Sequence, residues 1–299
     1  MRFLFIFLTL QISLWSCPQY YCTGASKNFY QPLLNLIGSI HKHNYENLVE
    51  IAVYDFGLEE WQRHEVQKIS KVRLCTIQEN NPHLLTFFPI EGGHLAGHRV
   101  LGWYAWKPVV IRESLEKFPY VLWLDSACVV LKPLDDLFAH IQTQGYFLIH
   151  SGSSYPLQWS TTNVVKGLFS LEDPRNAWVL NQECVMGGFV GVTKNTQHLF
   201  LNDWYEFTKD INNFADNGTA GGGWGACRHD QTLLSIMAHM RGYSIHPPQF
   251  PPGLIKGENG REIPFYASWN HQHLEQTDIL VQNGDFQYSE NVKQIKYKN

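Results

Sequence analysis

The apolar run from Tyr120 to Leu124 constrains the fold more than any other part of this 299-residue sequence. A strand with one wet face alternates apolar and polar residues, whereas a continuous apolar run is typical of a central parallel strand covered on both faces. The run ends at Asp125. Because ligands of open α/β sheets bind beyond the carboxyl ends of the strands, Asp125 is a candidate functional residue. The alternative is an acid that only caps the following loop.

Alternating strand and helix patterns surround this run. Strands are predicted at Tyr20–Thr23, Val49–Tyr54, Val72–Ile77, Cys128–Leu131 and Gly188–Thr193, and helices behind Pro32, Pro108 and Pro133, around Trp204 and from Leu233 to Met240. Such alternation predicts an α/β, Rossmann-like fold with a mixed, mostly parallel central sheet flanked by helices. From about residue 246 prolines and glycines recur without periodicity. We therefore expect one domain over residues 17–299 that ends in an irregular cap.

Residues 1–16 have the character of a signal peptide or a short membrane anchor. Arg2 precedes a short apolar stretch, and small residues follow it. The stretch is shorter than the ~20 residues of a membrane-spanning helix. We expect a protein of the secretory pathway lumen that is secreted or membrane-associated. If the segment is instead a buried strand, which the nearby start of the first strand allows, the location would be cytoplasmic.

Composition excludes several classes of function. Lys and Arg total 23 against 27 Asp and Glu, with no run of like charge, so nucleic acid is not expected as a partner. The six cysteines lack the paired spacing of a zinc site, and their redox state stays open. Because no G-x-G-x-x-G follows the first strand, a dehydrogenase is the least favoured enzyme class.

Four segments together resemble a known family: Tyr20–Asn35, Trp106–Phe138, Glu183–Thr193 and His229–Tyr243. In order and spacing they resemble the nucleotide-diphospho-sugar transferases, in particular the retaining transferases that include glycogenin and the bacterial lipopolysaccharide galactosyltransferases. The resemblance implies the GT-A fold and a nucleotide-sugar donor. It also implies a saccharide, protein or lipid acceptor.

The resemblance assigns donor-binding roles to particular positions. It implies that the nucleoside contacts Thr23, Gly24, Ala25 and Tyr30, the phosphates Lys107 and Asp125, and the donor sugar Gly187 and Gly188. A lysine suits phosphate because its ammonium is a compact charge, although a lysine at a helix start can also be merely solvated. Met186 stands where the family has a polar asparagine, which weakens the expectation of sugar contacts there.

In this family an Asp-x-Asp motif holds a divalent cation, but here the motif is Asp125-Ser126-Ala127. Ala127 cannot ligate a metal. Hard cations accept one or two carboxylates together with phosphate oxygens. The resemblance therefore leaves Mn²⁺ or Mg²⁺ bound by Asp125, the donor phosphates and a late histidine. His271 fits that histidine by order, and His246 is the alternative.

The resemblance places catalysis at Asp230 and Gln231, which begin a predicted helix. Asp230 would stabilise an oxocarbenium-like sugar or act as nucleophile, and Gln231 would orient the sugar. An aspartate at this position is also a common helix N-cap. Ahead of it, the loop from Gly221 to Gly225 has two interpretations, a mobile loop that closes over the donor to exclude water and a plain surface loop.

These observations predict a glycosyltransferase that moves a sugar from a nucleoside-diphosphate sugar to an acceptor, with retention implied by the resemblance. A catalytically degenerate sugar-binding protein on the same scaffold is the first alternative, favoured by Ala127 and Met186. A glycoside hydrolase could use Asp125 and Asp230 as its two carboxylates. A hydrolase, however, gives no reason for Lys107.

Overall fold

A computed structural model describes residues 17–90, 98–151, 156–221, 227–247, 255–256, 262–263, 265–267 and 288–298. Its main sheet has six strands in the order β3 (Val72–Cys75), β2 (Leu48–Asp55), β1 (Gln19–Ala25), β6 (Tyr120–Leu124), β9 (Phe189–Thr193) and β8 (Tyr146–Phe147). The first four strands of this order are parallel. β9 runs antiparallel to both β6 and β8. The predicted mixed, mostly parallel sheet is confirmed.

Eight α-helices are described: α1 (Tyr30–Asn44), α2 (Glu60–Lys68), α3 (Trp106–Lys117), α4 (Asp135–Gln144), α5 (Asn163–Leu168), α6 (Leu201–Glu206), α7 (Asp230–Met240) and α8 (Tyr288–Val292). Pro32 lies in the first turn of α1, where a missing backbone N–H removes no helical hydrogen bond. α4 ends at Gly145, whose φ of 86° is the left-handed conformation that glycine adopts without strain.

Both faces of the sheet are buried, as the apolar run of β6 predicted. All five residues of β6 are buried. Val121 and Trp123 join one core cluster, which includes residues of α3, α6 and α7. Leu122 and Leu124 join the other, which includes residues of α1 and α4. Successive side chains of a strand point to opposite faces, so β6 contributes to two helical layers at once.

Several elements differ from the sequence-based expectation. The third strand ends at Cys75 and not at Ile77, and α3 begins at Trp106, two residues before Pro108. A hairpin of β4 (Phe87–Pro89) and β5 (Arg99–Leu101) was not predicted. Short strands also occur within the expected irregular cap: β12 (Phe265–Ala267) pairs with β7 (Cys128–Val130), which the sequence predicted, and β10 (Ile255–Lys256) pairs with β11 (Glu262–Ile263). α8 packs so closely on α1 that a Cβ at Gly38 would lie 2.1 Å from the Asn291 carbonyl oxygen.

The predicted signal or anchor segment, residues 1–16, lies outside the described residues. Among the helices of the described part of the chain, none combines the length and apolar character that crossing a bilayer requires. The location of the protein therefore stays a prediction.

Candidate active site

The candidate site lies where the strand order of the sheet changes direction. From β1, the chain builds the sheet outwards through β2 and β3, and it then returns to place β6 on the other side of β1. Crevices at such switch points, beyond the carboxyl ends of the strands, are the usual ligand sites of open α/β sheets. Asp125 follows directly after β6 at this point.

An ion-pair triad of Lys107, Asp125 and Asp230 occupies this point. Lys107 Nζ lies 2.9 Å from Oδ2 of Asp230 and 3.3 Å from Oδ1 of Asp125. The first turn of α3 supplies Lys107, and Asp230 is the first residue of α7. The side chains of Lys107 and Asp230 are each 5% exposed, whereas that of Asp125 is 32% exposed. The structure thus joins three residues that are far apart in sequence, with Asp125 nearest to solvent.

The two buried partners respond differently to this arrangement. Burial alone would lower the pKa of Lys107, but the attraction of Asp125 and Asp230 outweighs it and raises that pKa. Burial raises the pKa of Asp230 although Lys107 opposes the shift. Desolvation disfavours the charged form of any group, so a single lysine does not fully compensate a buried carboxylate with a second one nearby. The lysine is therefore firmly cationic, whereas Asp230 ionises less readily than a free aspartate.

Gly187 and Gly188 explain how both carboxylates approach the end of β6. A Cβ at Gly187 would lie 2.9 Å from Oδ2 of Asp230, and one at Gly188 would lie 3.0 Å from Oδ2 of Asp125. The backbone N–H of Asp125 also donates to the Gly188 carbonyl, at 3.0 Å. Gln231 packs on the same segment, with its Cβ 3.3 Å from the Cβ position of Gly187. The close approach of the two carboxylates thus explains why both positions are glycine, and this explanation requires no donor sugar.

Three aromatic rings surround the lysine and were not identified as site residues from the sequence. Lys107 Nζ lies 5.8 Å from the ring centroid of Tyr104, 5.9 Å from Trp106 and 5.7 Å from Trp123. Trp123 Nε1 donates to Oδ1 of Asp125 at 2.9 Å. Residues two apart on a strand share a face, so the spacing of Trp123 and Asp125 was a usable signal. Tyr104 gave no such signal in the sequence, because the position of its ring depends on a backbone with a φ of 62°.

The predicted nucleoside residues lie at the carboxyl end of β1 and the start of α1. Thr23 and Ala25 are buried, at 1% and 2% exposure, and Tyr30 is buried at 8%. The Tyr30 ring packs edge-on against Trp61, with 5.1 Å between centroids. These side chains belong to β1 and α1, and their nucleoside-binding role stays a prediction.

Gly24 has a packing reason for lacking a side chain. A Cβ there would lie 2.1 Å from the ring of Phe56. Phe56 in turn packs on Trp106, at 4.1 Å between centroids. Because Trp106 borders Lys107, the small residue at Gly24 lets an aromatic layer form beneath the triad.

Two other positions singled out from the sequence, one buried and one partly buried, pack against residues of the core. Met186 is 9% exposed and joins the cluster on the α1 face, which accounts for an apolar residue at that position. The His246 ring packs against Phe147 and His140, at 5.5 and 4.6 Å between centroids. His246 is therefore placed beside β8.

The described residues do not by themselves fit a divalent cation. Oδ1 of Asp125 already accepts a hydrogen bond from Nε1 of Trp123 and faces the ammonium of Lys107, while Oδ2 lies against Gly188. The space between the Asp125 and Asp230 carboxylates is taken by the lysine ammonium. No group of three His, Cys, Asp or Glu side chains suited to a metal occurs in the described part of the chain. His271, the other predicted ligand, lies outside the described residues.

Two solved structures with a similar fold are glycosyltransferases. The galactosyltransferase LgtC, solved with donor and acceptor sugar analogues, matches with a TM-score of 0.52 and 13% identity over 94% of this chain and 98% of that chain. This chain has the GT-A glycosyltransferase fold. The apo bifunctional glycosyltransferase WbbM matches with a TM-score of 0.51 and 12% identity over 94% of this chain. This GT-A chain spans 52% of the WbbM chain. No protein-family model and no curated protein sequence matches it.

Proposed function

We propose that this protein is a glycosyltransferase, which transfers a sugar from a nucleoside-diphosphate sugar to an acceptor. The observation that carries the proposal is the ion-pair triad at the switch point of a GT-A sheet, in which buried Lys107 Nζ lies 2.9 Å from buried Asp230 and 3.3 Å from partly exposed Asp125. A purely structural ion pair would have no reason to lie at the usual ligand crevice of the fold. Perturbed, buried charges in a cleft are typical of functional sites.

The chemistry follows from the charges. A departing nucleoside diphosphate accumulates negative charge, and a cation held in place stabilises that charge without reorganisation. The ammonium of Lys107 has three N–H donors and pairs with two carboxylates, which leaves donor capacity for a phosphate or sugar oxygen. We assign to Asp230 the stabilisation of positive charge at the sugar carbon, and to Gln231 the orientation of the sugar.

The finer features of the reaction rest on the resemblance. The resemblance is the basis for expecting retention of configuration. It is also the basis for assigning Asp230 the role of nucleophile or electrostatic stabiliser. LgtC was solved with both a donor and an acceptor sugar analogue. This supports a saccharide as the first acceptor class to test, ahead of a protein or a lipid. Secretion or membrane association through residues 1–16 is part of the same proposal.

A catalytically degenerate sugar-binding protein is the second candidate. Ala127 favours it, because the position that supplies the second acid of the motif carries no carboxylate. The two candidates share donor binding and differ in turnover. Binding and turnover must therefore be measured separately.

Thermal unfolding with nucleotide sugars tests donor binding. A ligand at 100 times its Kd stabilises the folded state by about 2.7 kcal/mol. We expect at least one nucleoside-diphosphate sugar to raise Tm by several degrees, and Lys107→Met to lose most of that rise. Arg175→Met, a substitution at an exposed cation paired with Asp173, is the control and should keep the rise. If no nucleotide or nucleotide sugar shifts Tm with or without Mn²⁺, the proposal is wrong.

A further inference from the structure

His229 takes no part in the triad, yet its imidazole has a defined protonation pattern. His229 Nδ1 lies 2.8 Å from the backbone carbonyl oxygen of Phe214. A carbonyl oxygen can only accept, so Nδ1 carries the hydrogen and Nε2 has the free lone pair. Hydrogen bonds of this kind, from one imidazole nitrogen to a backbone carbonyl, fix the nitrogen that remains for a ligand.

The surroundings keep this imidazole neutral and next to the triad. His229 is 6% exposed and immediately precedes Asp230. Its ring centroid lies 5.6 Å from that of Tyr104, the residue that also borders Lys107. Burial lowers the pKa of His229 although the hydrogen bond to Phe214 opposes the shift. Nε2 therefore presents an acceptor, and within the described part of the chain it has no hydrogen-bond partner.

The backbone of His229 gives a second, independent indication of function. Its φ is 49° and its ψ is −117°, a conformation that residues with a Cβ rarely adopt. Glycine would adopt it without strain. Side chains held in such conformations cluster at ligand-binding and active sites, where the surrounding structure maintains the strain. This position thus carries an imidazole although its backbone conformation favours glycine.

We propose that Nε2 of His229 accepts a hydrogen bond from a hydroxyl group of the donor sugar. The inference rests on the proposed function and names a sugar-recognising residue within it. Sugar hydroxyls are donors, whereas ionised phosphate oxygens are acceptors and cannot bond to a lone pair. A nucleoside-diphosphate sugar that reaches Asp230 would therefore meet His229 with its sugar and not with its phosphates. A site built to hydrogen-bond a hydroxyl discriminates strongly against ligands that lack it.

Calorimetry with matched probes tests this assignment. The probes are UDP-glucose, UDP-galactose and GDP-mannose, each compared with UDP or GDP alone. In His229→Asn the amide N–H replaces Nδ1–H and keeps the bond to Phe214, but no group reaches the position of Nε2. We expect this variant to bind the best nucleotide sugar about fivefold more weakly, which corresponds to about 1 kcal/mol. Its affinity for the nucleoside diphosphate should be unchanged.

Two further variants separate the hydrogen bond from the backbone strain. His229→Gln places an amide oxygen near the position of Nε2 and should restore part of the sugar affinity. His229→Gly relieves the strained backbone, so it should be at least as stable to heat as His229→Asn while binding the sugar equally weakly. A role in folding alone predicts that stability and sugar affinity fall together.

The possible outcomes are distinct. If His229→Asn binds nucleotide sugars as tightly as the wild type, the inference is overturned. It is also overturned if folded His229→Asn loses affinity equally for nucleotide sugar and nucleoside diphosphate, because the contact would then lie on the nucleotide. If no probe binds even the wild type, the proposed function itself fails and the inference fails with it.

Discussion

Replacing Lys107 with methionine removes the cation of the triad while keeping a side chain of similar length among Tyr104, Trp106 and Trp123. The Asp230 side chain, 5% exposed, then loses its ion pair. Breaking a buried pair by removal of one partner costs about 3–5 kcal/mol. Asp125 is 32% exposed and stays solvated, so it adds little to this cost. Because Asp230 can take up a proton when unpaired, we expect the free energy of unfolding to fall by an amount at the lower end of this range, about 3 kcal/mol at pH 7.

Urea unfolding at pH 7 measures this loss. In an Asp230→Asn background the uncompensated carboxylate is absent, so Lys107→Met should cost about 2 kcal/mol less than in the wild type, a coupling typical of contacting residues. If Lys107→Met changes the free energy of unfolding by less than about 0.5 kcal/mol, as an ordinary surface substitution does, the triad is not a buried ion pair and the reasoning fails. Additive effects of the two substitutions would contradict it as well.

The same triad sets a pH dependence. The folded-state pKa of Asp230 is raised above its ordinary value of 3.8, so the folded state binds more protons than the unfolded state between 3.8 and that raised value. The contribution of Asp230 to stability therefore falls as pH rises through this window and is regained on acidification. In Lys107→Met the window should extend to higher pH. Asp230→Asn should show no such contribution.

Four further predictions concern the metal, Asp125 and the N-terminus. Ala127→Asp should increase the affinity of the protein for Mn²⁺ measured by titration, since it restores an acid; unchanged affinity would show that the loop differs from the Asp-x-Asp geometry. EDTA should reduce wild-type activity only modestly. Asp125→Asn should reduce turnover by about 10² or more, the scale for removing one placed electrostatic group. Full activity of Asp125→Asn would exclude a catalytic role of the Asp125 carboxylate. Deleting residues 1–16 should leave a soluble, folded protein by circular dichroism, and loss of folding would make the segment a structural strand.

The fold was largely predictable because its signals are local and periodic. The apolar run from Tyr120 to Leu124 coincides with β6, and the helices behind Pro32 and Pro108 occur as α1 and α3. The β4–β5 hairpin was missed because its strands are short, with no buried residue to produce a periodic signal. Element boundaries that depend on end geometry, such as the early start of α3, also escaped the sequence.

The sequence singled out the charged members of the triad but not the residues around them. Lys107 and Asp230 were identified from the family resemblance, and Asp125 also from its place directly after β6, but their mutual ion pairs depend on how α3 and α7 approach β6. The positions of the Tyr104 and His229 side chains depend on unusual backbone angles, φ of 62° and 49°, which leave no mark on sequence periodicity. The close approach of Gly24 to Phe56 likewise involves residues from two different strand ends. Tertiary contacts of this kind are the part that local sequence patterns cannot specify.

Turnover of a nucleotide sugar by Asp230→Asn and by the wild type tests the central claim most directly. Each nucleotide sugar that shifts Tm is incubated with saccharide acceptors, and released nucleoside diphosphate and glycosylated product are measured by mass spectrometry. The account predicts transfer by the wild type and about 10²-fold slower transfer by a folded Asp230→Asn that still binds the donor. If the wild type binds donors but transfers none, or if Asp230→Asn is as fast as the wild type, the triad is not the catalytic centre of a glycosyltransferase.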